Sequence, residues 1–324
     1  MGTQFQIATP SGRGTGKLSD SFGPVFFVDT INGLAGNSGL TPDKALTTIE
    51  AVFTKLLAMA TADADSANNA TIYVVGTIAE QLTAPLGVSG CRIIGLANGR
   101  NRHDDGARWK EEASAAGAPL LIVHEQGWEF HNILFVPETG YSALRLWRAE
   151  DATHPDGSHG VYRNCKFIGN TAIGTPAGIG IEDWGGTHHY LVDDCEFCDL
   201  EFAIVAPAGS PGIAAPLRDT IQNCFFSDNK HDICMDMSRG RIIHNYFNTA
   251  YHGTTHPNIV NLAYLSDVSG KNVVCENYFP DAITAIDDDH GYVESTGDVW
   301  ANNWASTATS AASGAPWGGV PADS

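Results

Sequence analysis

The sequence predicts an all-β chain wound as a parallel solenoid. Two observations carry that reading. First, one short phrase recurs seven times in the second half of the chain: hydrophobic, any, Asn/Asp-like, Cys/Asn-like, any, Phe/Trp. The copies are Phe130–Phe135, Tyr162–Phe167, Val192–Phe197, Ile221–Phe226, Ile242–Phe247, Val274–Phe279 and Val299–Trp304. Second, their closing aromatics lie 32, 30, 29, 21, 32 and 25 residues apart. A unit of that length, rich in short strands and turn residues, is one coil of a repeat solenoid.

The phrase carries its own geometry. Its first and fourth positions are three apart, so strict strand alternation would put them on opposite faces. A bend at the third position restores the parity, because Asn and Asp tolerate left-handed backbone angles best after Gly. The fourth position, Ile133, Cys165, Cys195, Cys224, Asn245, Asn277 and Asn302, then points inward. With coils stacked about 4.8 Å apart, a Cys column runs into an Asn column. Buried Asn side chains are tolerable where each bonds its neighbour or the backbone, which a column provides.

Ahead of the phrases, Phe26-Phe27-Val28-Asp29-Thr30 is followed by the turn signals Asn32-Gly33 and Asn37-Ser38-Gly39-Leu40-Thr41-Pro42. An apolar helical stretch at about 47–60 carries Val52, Phe53, Leu56 and Leu57. Thr71–Ile78 reads as the first strand, followed by Cys91-Arg92-Ile93-Ile94-Gly95. The open, apolar end of a solenoid needs a cover, and the amphipathic helix is the expected lid. Residues 96–117, 149–160, 205–217 and 249–257 read as loops leaving the shaft, the first of them carrying Arg108, Trp109 and Lys110. Loops of this kind often carry function.

Taken together, phrases and entry segment resemble the right-handed parallel β-helix (pectate-lyase-like) superfamily over roughly residues 25–304. The resemblance implies a single-stranded right-handed β-helix with a capping helix. The superfamily includes lyases, glycoside hydrolases, phage tailspikes and catalytically silent virion proteins, so fold alone does not give function.

Composition narrows the classes. A net charge of −19 with no basic stripe speaks against a nucleic-acid partner. No run of about 18 apolar residues exists to span a membrane. The start Met-Gly-Thr-Gln-Phe-Gln lacks a basic, apolar or cleavage-site signature, so synthesis and folding in a cytoplasm are expected. Of the seven cysteines, three fall in the inward column, and Cys195-Glu196-Phe197-Cys198 is a lone C-x-x-C without a second pair. Reduced, core-filling thiols are expected, and no metal.

Candidate chemistry is sparse. A lyase wants acidic calcium ligands on adjacent coils with a basic residue nearby. Glu182, Asp183, Asp236 and the run Asp287-Asp288-Asp289 offer the carboxylates and Arg239 or Arg241 the base, so calcium enters only under that reading. Asp288-Asp289-His290-Gly291 lacks the order and spacing of the polygalacturonase motifs. A two-carboxylate hydrolase needs its acids about 5–9.5 Å apart, a test for Glu182 or Asp183 with Asp236. Trp109, Trp147 and Trp184 are candidate stacking platforms for carbohydrate. His188, His189, His252, His256 and His290 match no ligand spacing and read as surface histidines.

The expected protein is therefore a virion structural protein of a bacteriophage, a capsid decoration (cement) or spike protein, and a homotrimer. Its arms, 1–24 and 305–324, are Gly/Ser/Thr-rich and Ala/Ser/Gly/Pro-rich and are expected to anchor it to capsid or other virion proteins. The alternatives are a tailspike-type polysaccharide depolymerase and a carbohydrate-binding module.

Overall fold

A computed structural model describes residues 23–96, 107–111, 117–147, 157–169, 176–184, 187–206, 218–235, 237–248, 259–261, 272–279, 292–293, 299–305 and 317–318. The chain is mostly β, with three long parallel sheets and, among the described residues, one α-helix. Each coil contributes one strand to each sheet in turn, the arrangement of a parallel solenoid. The first sheet begins at Val25–Asp29 and runs through Thr71–Val75 and Arg92–Gly95 to Val273–Cys275. The second runs from Thr77–Ile78 to Tyr278–Phe279. Val299–Ala305 closes both, pairing with Val273–Cys275 in one half and Tyr278–Phe279 in the other. The third runs from Leu82–Thr83 to Tyr292–Val293.

The corner between the first and second sheets explains the recurrent phrase. Its third residue is left-handed in every copy: Asn132, Asn164, Asp194, Asn223, His244, Glu276 and Asn302 have φ between 50° and 58°. That single residue turns the chain and leaves polar backbone groups facing inward, where no water reaches them. The fourth side chain engages these groups. Cys165, Cys195 and Cys224 direct their thiols at the carbonyls of Phe130, Tyr162 and Val192, at 3.4, 3.4 and 3.8 Å. Asn245, Asn277 and Asn303 donate from Nδ2 to the equivalent carbonyls of Ile221, Ile242 and Val274 at 3.0, 2.9 and 2.9 Å. The asparagines also accept at Oδ1, from the backbone N–H groups of Cys224, Asn245 and Asn277 at 2.9, 2.9 and 3.0 Å. Cys and Asn thus address the same carbonyl, one coil down.

The last coil corrects the reading of the sequence by one residue. Asn302 takes the left-handed corner and is exposed, while Asn303 is fully buried and carries the ladder. Its phrase is therefore Trp300–Ala305. In register, Trp304 stands opposite Tyr278 and Ala305 opposite Phe279.

The sixth position builds the core. Phe135, Phe167, Phe197, Phe226, Phe247 and Phe279 are fully buried and stack ring on ring, centroids 4.7–5.0 Å apart and planes within 11°. Each buried ring stabilises by about 1.5–3 kcal/mol over its exposed form. Trp109 extends the column below Phe135, at 5.9 Å. The structure thus makes Ala107–Lys110 a strand of the second sheet rather than part of a loop. It also removes Trp109 as a carbohydrate platform: the indole is fully buried, and its Nε1 donates to the Glu80 carbonyl at 2.8 Å.

A second left-handed column precedes the first sheet. Asn69, Gly90, Gly127, His159, His189, Arg218 and Arg239 each sit two residues before a strand, with φ between 58° and 73°. Stacking holds His and Arg in a conformation they rarely adopt alone.

The helix spans Ile49–Ala62, with Thr48 Oγ1 accepting the Ala51 N–H at 3.2 Å as N-cap. Glu80 accepts the orphan N–H groups of Ile49 and Glu50 at 2.9 and 2.8 Å, a carboxylate at the positive end of the helix dipole. Ile49, Val52, Phe53 and Leu56 bury into the core, Phe53 meeting Trp128 edge-on. Leu57, expected on that face, is half exposed. At the other end Trp317–Gly318 lies antiparallel on Val299–Ala305.

Asn277→Leu should leave the Ile242 carbonyl and the Asn245 N–H without their partner and destabilise the chain by about 1–3 kcal/mol. A thermal melt matching the parent's would contradict this role. Burial pushes the Cys165 and Cys224 thiols well above the ordinary range. Cys165, Cys195 and Cys224 should therefore resist maleimide until the chain unfolds, and rapid native labelling of all three would place that column outside.

Candidate functional site

Three of the residues singled out from sequence meet on the outer side of the third sheet. In register, Arg145 stands opposite Glu182, and Leu146 opposite Asp183. The strand Ile179–Asp183 sends Glu182 and Asp183 to opposite sides, so the adjacent acids share no site. Glu182 accepts from Arg145 Nε and from Ser142 Oγ, both at 2.8 Å and both on Oε2. The Arg145 guanidinium also lies 4.7 Å from the Trp184 ring centre, a cation–π distance. Just past the strand ends, Trp147 and Trp184 stack 5.1 Å apart at 27°, with His124 6.2 Å beyond Trp147. Because the two indoles face each other, a sugar on this patch would meet ring edges and the outermost faces, not two open platforms.

Asp183 faces the interior. Its carboxylate accepts from Thr187 N–H and Oγ1 at 3.1 and 2.8 Å. Close by is Asp219, which the sequence reading did not single out. It is fully buried; Oδ1 accepts the Tyr190 N–H at 3.1 Å, and Oδ2 has no partner among the described residues. Burial first, and Asp183 second, raise its carboxyl well above the usual range. Tyr162 and Tyr190 complete this polar island. The Tyr190 hydroxyl meets Met235 Sδ at 3.2 Å, and the Tyr162 hydroxyl is buried without a partner among the described residues. A Cβ at Gly160 would lie 2.7 Å from that hydroxyl, so glycine makes room for it. No sequence signal marks Asp219, since it precedes a strand outside the phrase, directly after a proline-punctuated segment.

Arg239 belongs elsewhere. It is exposed at a left-handed turn, in one column with His159, His189 and Arg218, and the rings of His159 and His189 stack at 5.0 Å. The structure does not bring it to Glu182 or Asp183. Asp236, His252, His256 and His290 lie outside the described residues. Among the described residues no group of three His, Cys, Asp or Glu is placed to hold a metal ion. No protein-family model matches the chain, and no curated protein matches it.

The Asp219 environment sets a pH dependence. Its folded pKa is raised above the unfolded value of 3.8. Its contribution to stability is therefore fully present below that value and is lost as pH rises through the folded pKa. Asp219→Asn keeps the acceptor for Tyr190 and removes the charge. It should raise the thermal midpoint over the parent's at pH 8, with the gap closing toward pH 4. A gap independent of pH would show that Asp219 does not titrate in this way.

Proposed function

We propose that this chain is a right-handed parallel β-helix serving as a structural protein of a bacteriophage virion, a capsid decoration or spike protein, assembled as a homotrimer. The carrying observation is how the most chemically suggestive acids are used. Glu182 is held by Arg145 and Ser142, and Asp183, on the other side of the strand, is held by Thr187. Each of the two acids that could have partnered Asp236 across a glycosidic bond is thus already engaged within the chain, and on opposite sides of one strand. Right-handedness follows the rule for parallel crossovers, which take that hand in about 98% of cases. The Ile49–Ala62 helix then serves as the N-terminal cap. The arms at 1–24 and 305–324 attach the shaft to other virion proteins, and the chain is made in the host cytoplasm.

The test is sedimentation with particles. The full chain should co-sediment with assembled virions and run as a trimer in analytical ultracentrifugation; a monomer absent from particles would end this reading. Assays on pectin, alginate and capsular polysaccharide, with and without calcium, should release neither unsaturated ends nor reducing ends. Turnover lost by orders of magnitude in Glu182→Gln would instead make the protein a depolymerising spike.

A further inference from the structure

At the corner between the first and second sheets lies a hollow lined by Asn164, Lys166, Asp194, Glu196, Asn223 and Phe225, together with Cys165 and Cys195. The same phrase positions stand in register on the coils that follow, so the rows of residues bordering this groove continue along the axis. On one side stand the left-handed corner residues Asn164, Asp194, Asn223, His244 and Glu276, all exposed. On the other runs the fifth position of the phrase, in register from Lys166 and Glu196 to Phe225, Tyr246 and Tyr278. The sequence reading left that position unassigned.

Two observations there point to a ligand. Phe225, Tyr246 and Tyr278 are 37%, 38% and 39% exposed, and of the nine exposed large apolar side chains among the described residues these three stand in register on successive coils as one stripe. Their centroids lie 5.2 and 5.1 Å apart. The second observation is electrostatic. Lys166 pairs with Glu196 at 2.8 Å, Arg163 with Asp193 at 3.2 Å, and His244 with Glu276. The lysine and arginine here are thus matched by carboxylates, and Asp194, with Glu276 wherever His244 is uncharged, leaves a small negative excess. A polyanion finds no free field here, and a polycation finds little.

We propose that this groove binds a neutral, hydroxyl-rich polysaccharide laid along the solenoid axis. The aromatic stripe supplies the apolar contact that the C–H faces and edges of pyranose rings require. Asn164 and Asn223 each donate one Nδ2–H within the chain, to Asn132 Oδ1 at 3.0 Å and Asp193 Oδ1 at 2.9 Å; their second N–H and their Oδ1, with the carboxylate of Asp194, supply donors and acceptors for hydroxyl groups. The coil repeat, about 4.8 Å, is comparable to the length of one pyranose unit in an extended chain, so successive sugars meet successive coils. The site is distinct from the Trp147–Trp184 patch and does not depend on the virion reading.

Affinity electrophoresis of the full chain through gels holding mixed-linkage β-glucan, dextran or mannan tests it, with alginate and polygalacturonate gels as polyanionic controls. Retardation is expected in at least one neutral gel and in neither polyanionic gel. Tyr246→Ser combined with Tyr278→Ser should weaken it about tenfold with the thermal midpoint held, whereas Trp184→Ala should leave it intact. No retardation in any neutral gel overturns the proposal. So does retardation confined to polyanions, or retardation that survives the double Tyr substitution or vanishes with Trp184→Ala.

Discussion

Everything in this shaft depends on how the polar backbone groups at one corner are satisfied away from water. A one-residue left-handed turn joins two sheets with almost no loop, and the cost is inward-facing C=O and N–H groups repeated on every coil. A buried backbone group without a partner costs about 1–3 kcal/mol, and a stack of seven coils would not bear that at each level. The side chain two places before the stacked Phe removes the debt. Asn serves both a carbonyl and an N–H, and its Nδ2 also reaches the next Oδ1, at 3.1 Å from Asn245 to Asn277 and 3.0 Å from Asn277 to Asn303. Thiols make the weaker version of the same contact, with Cys165 and Cys195 backbone N–H groups turned toward the sulfurs of Cys195 and Cys224. Once the corner is fixed, the Phe rings fall into a face-to-face column, and the register of all three sheets follows.

The same periodicity sorts the outside. Each strand position becomes a stripe along the axis, so single residues matter less than columns. The third sheet carries Ser142, Arg145 and Glu182 beside two stacked indoles. The corner before the first sheet carries His159, His189, Arg218 and Arg239. The corner after it carries a polar row beside aromatic rings. A chain with a formal charge of −19 nevertheless keeps its cations in ordered lines, most of those on the groove side paired across coils.

The sequence showed the coil plainly because backbone geometry imposes residue types at fixed offsets: a left-handed corner, an inward Asn or Cys, a stacked Phe. It misled where residue types were degenerate. Ala301-Asn302-Asn303-Trp304 contains two asparagines and an aromatic, and either Asn fits the phrase; only strand pairing distinguishes them. Trp109 looked like a loop residue because Ala107–Lys110 is one short strand set amid polar, turn-like sequence. Glu182 and Asp183 looked interchangeable as partners for Asp236 because adjacency in sequence hides their opposite directions in a strand. Asp219 carries no signature at all, since its buried setting is assembled from Tyr190 on the same corner and Asp183 from the coil before. The aromatic stripe was visible in principle: the fifth position reads Leu134, Lys166, Glu196, Phe225, Tyr246, Tyr278, but its meaning depends on knowing that it points outward.

The two-residue strand Trp317–Gly318 has a consequence out of proportion to its size. A stack of parallel strands is an open-ended template, and its last member presents a row of unpaired groups to any other chain. Here the row is met at Ala301 and Asn303 by a strand running the opposite way, on the coil where the ladder has no further Asn to offer. The polar edge of the final coil is thus partly occupied within the chain, which leaves less of it free to pair with a second chain.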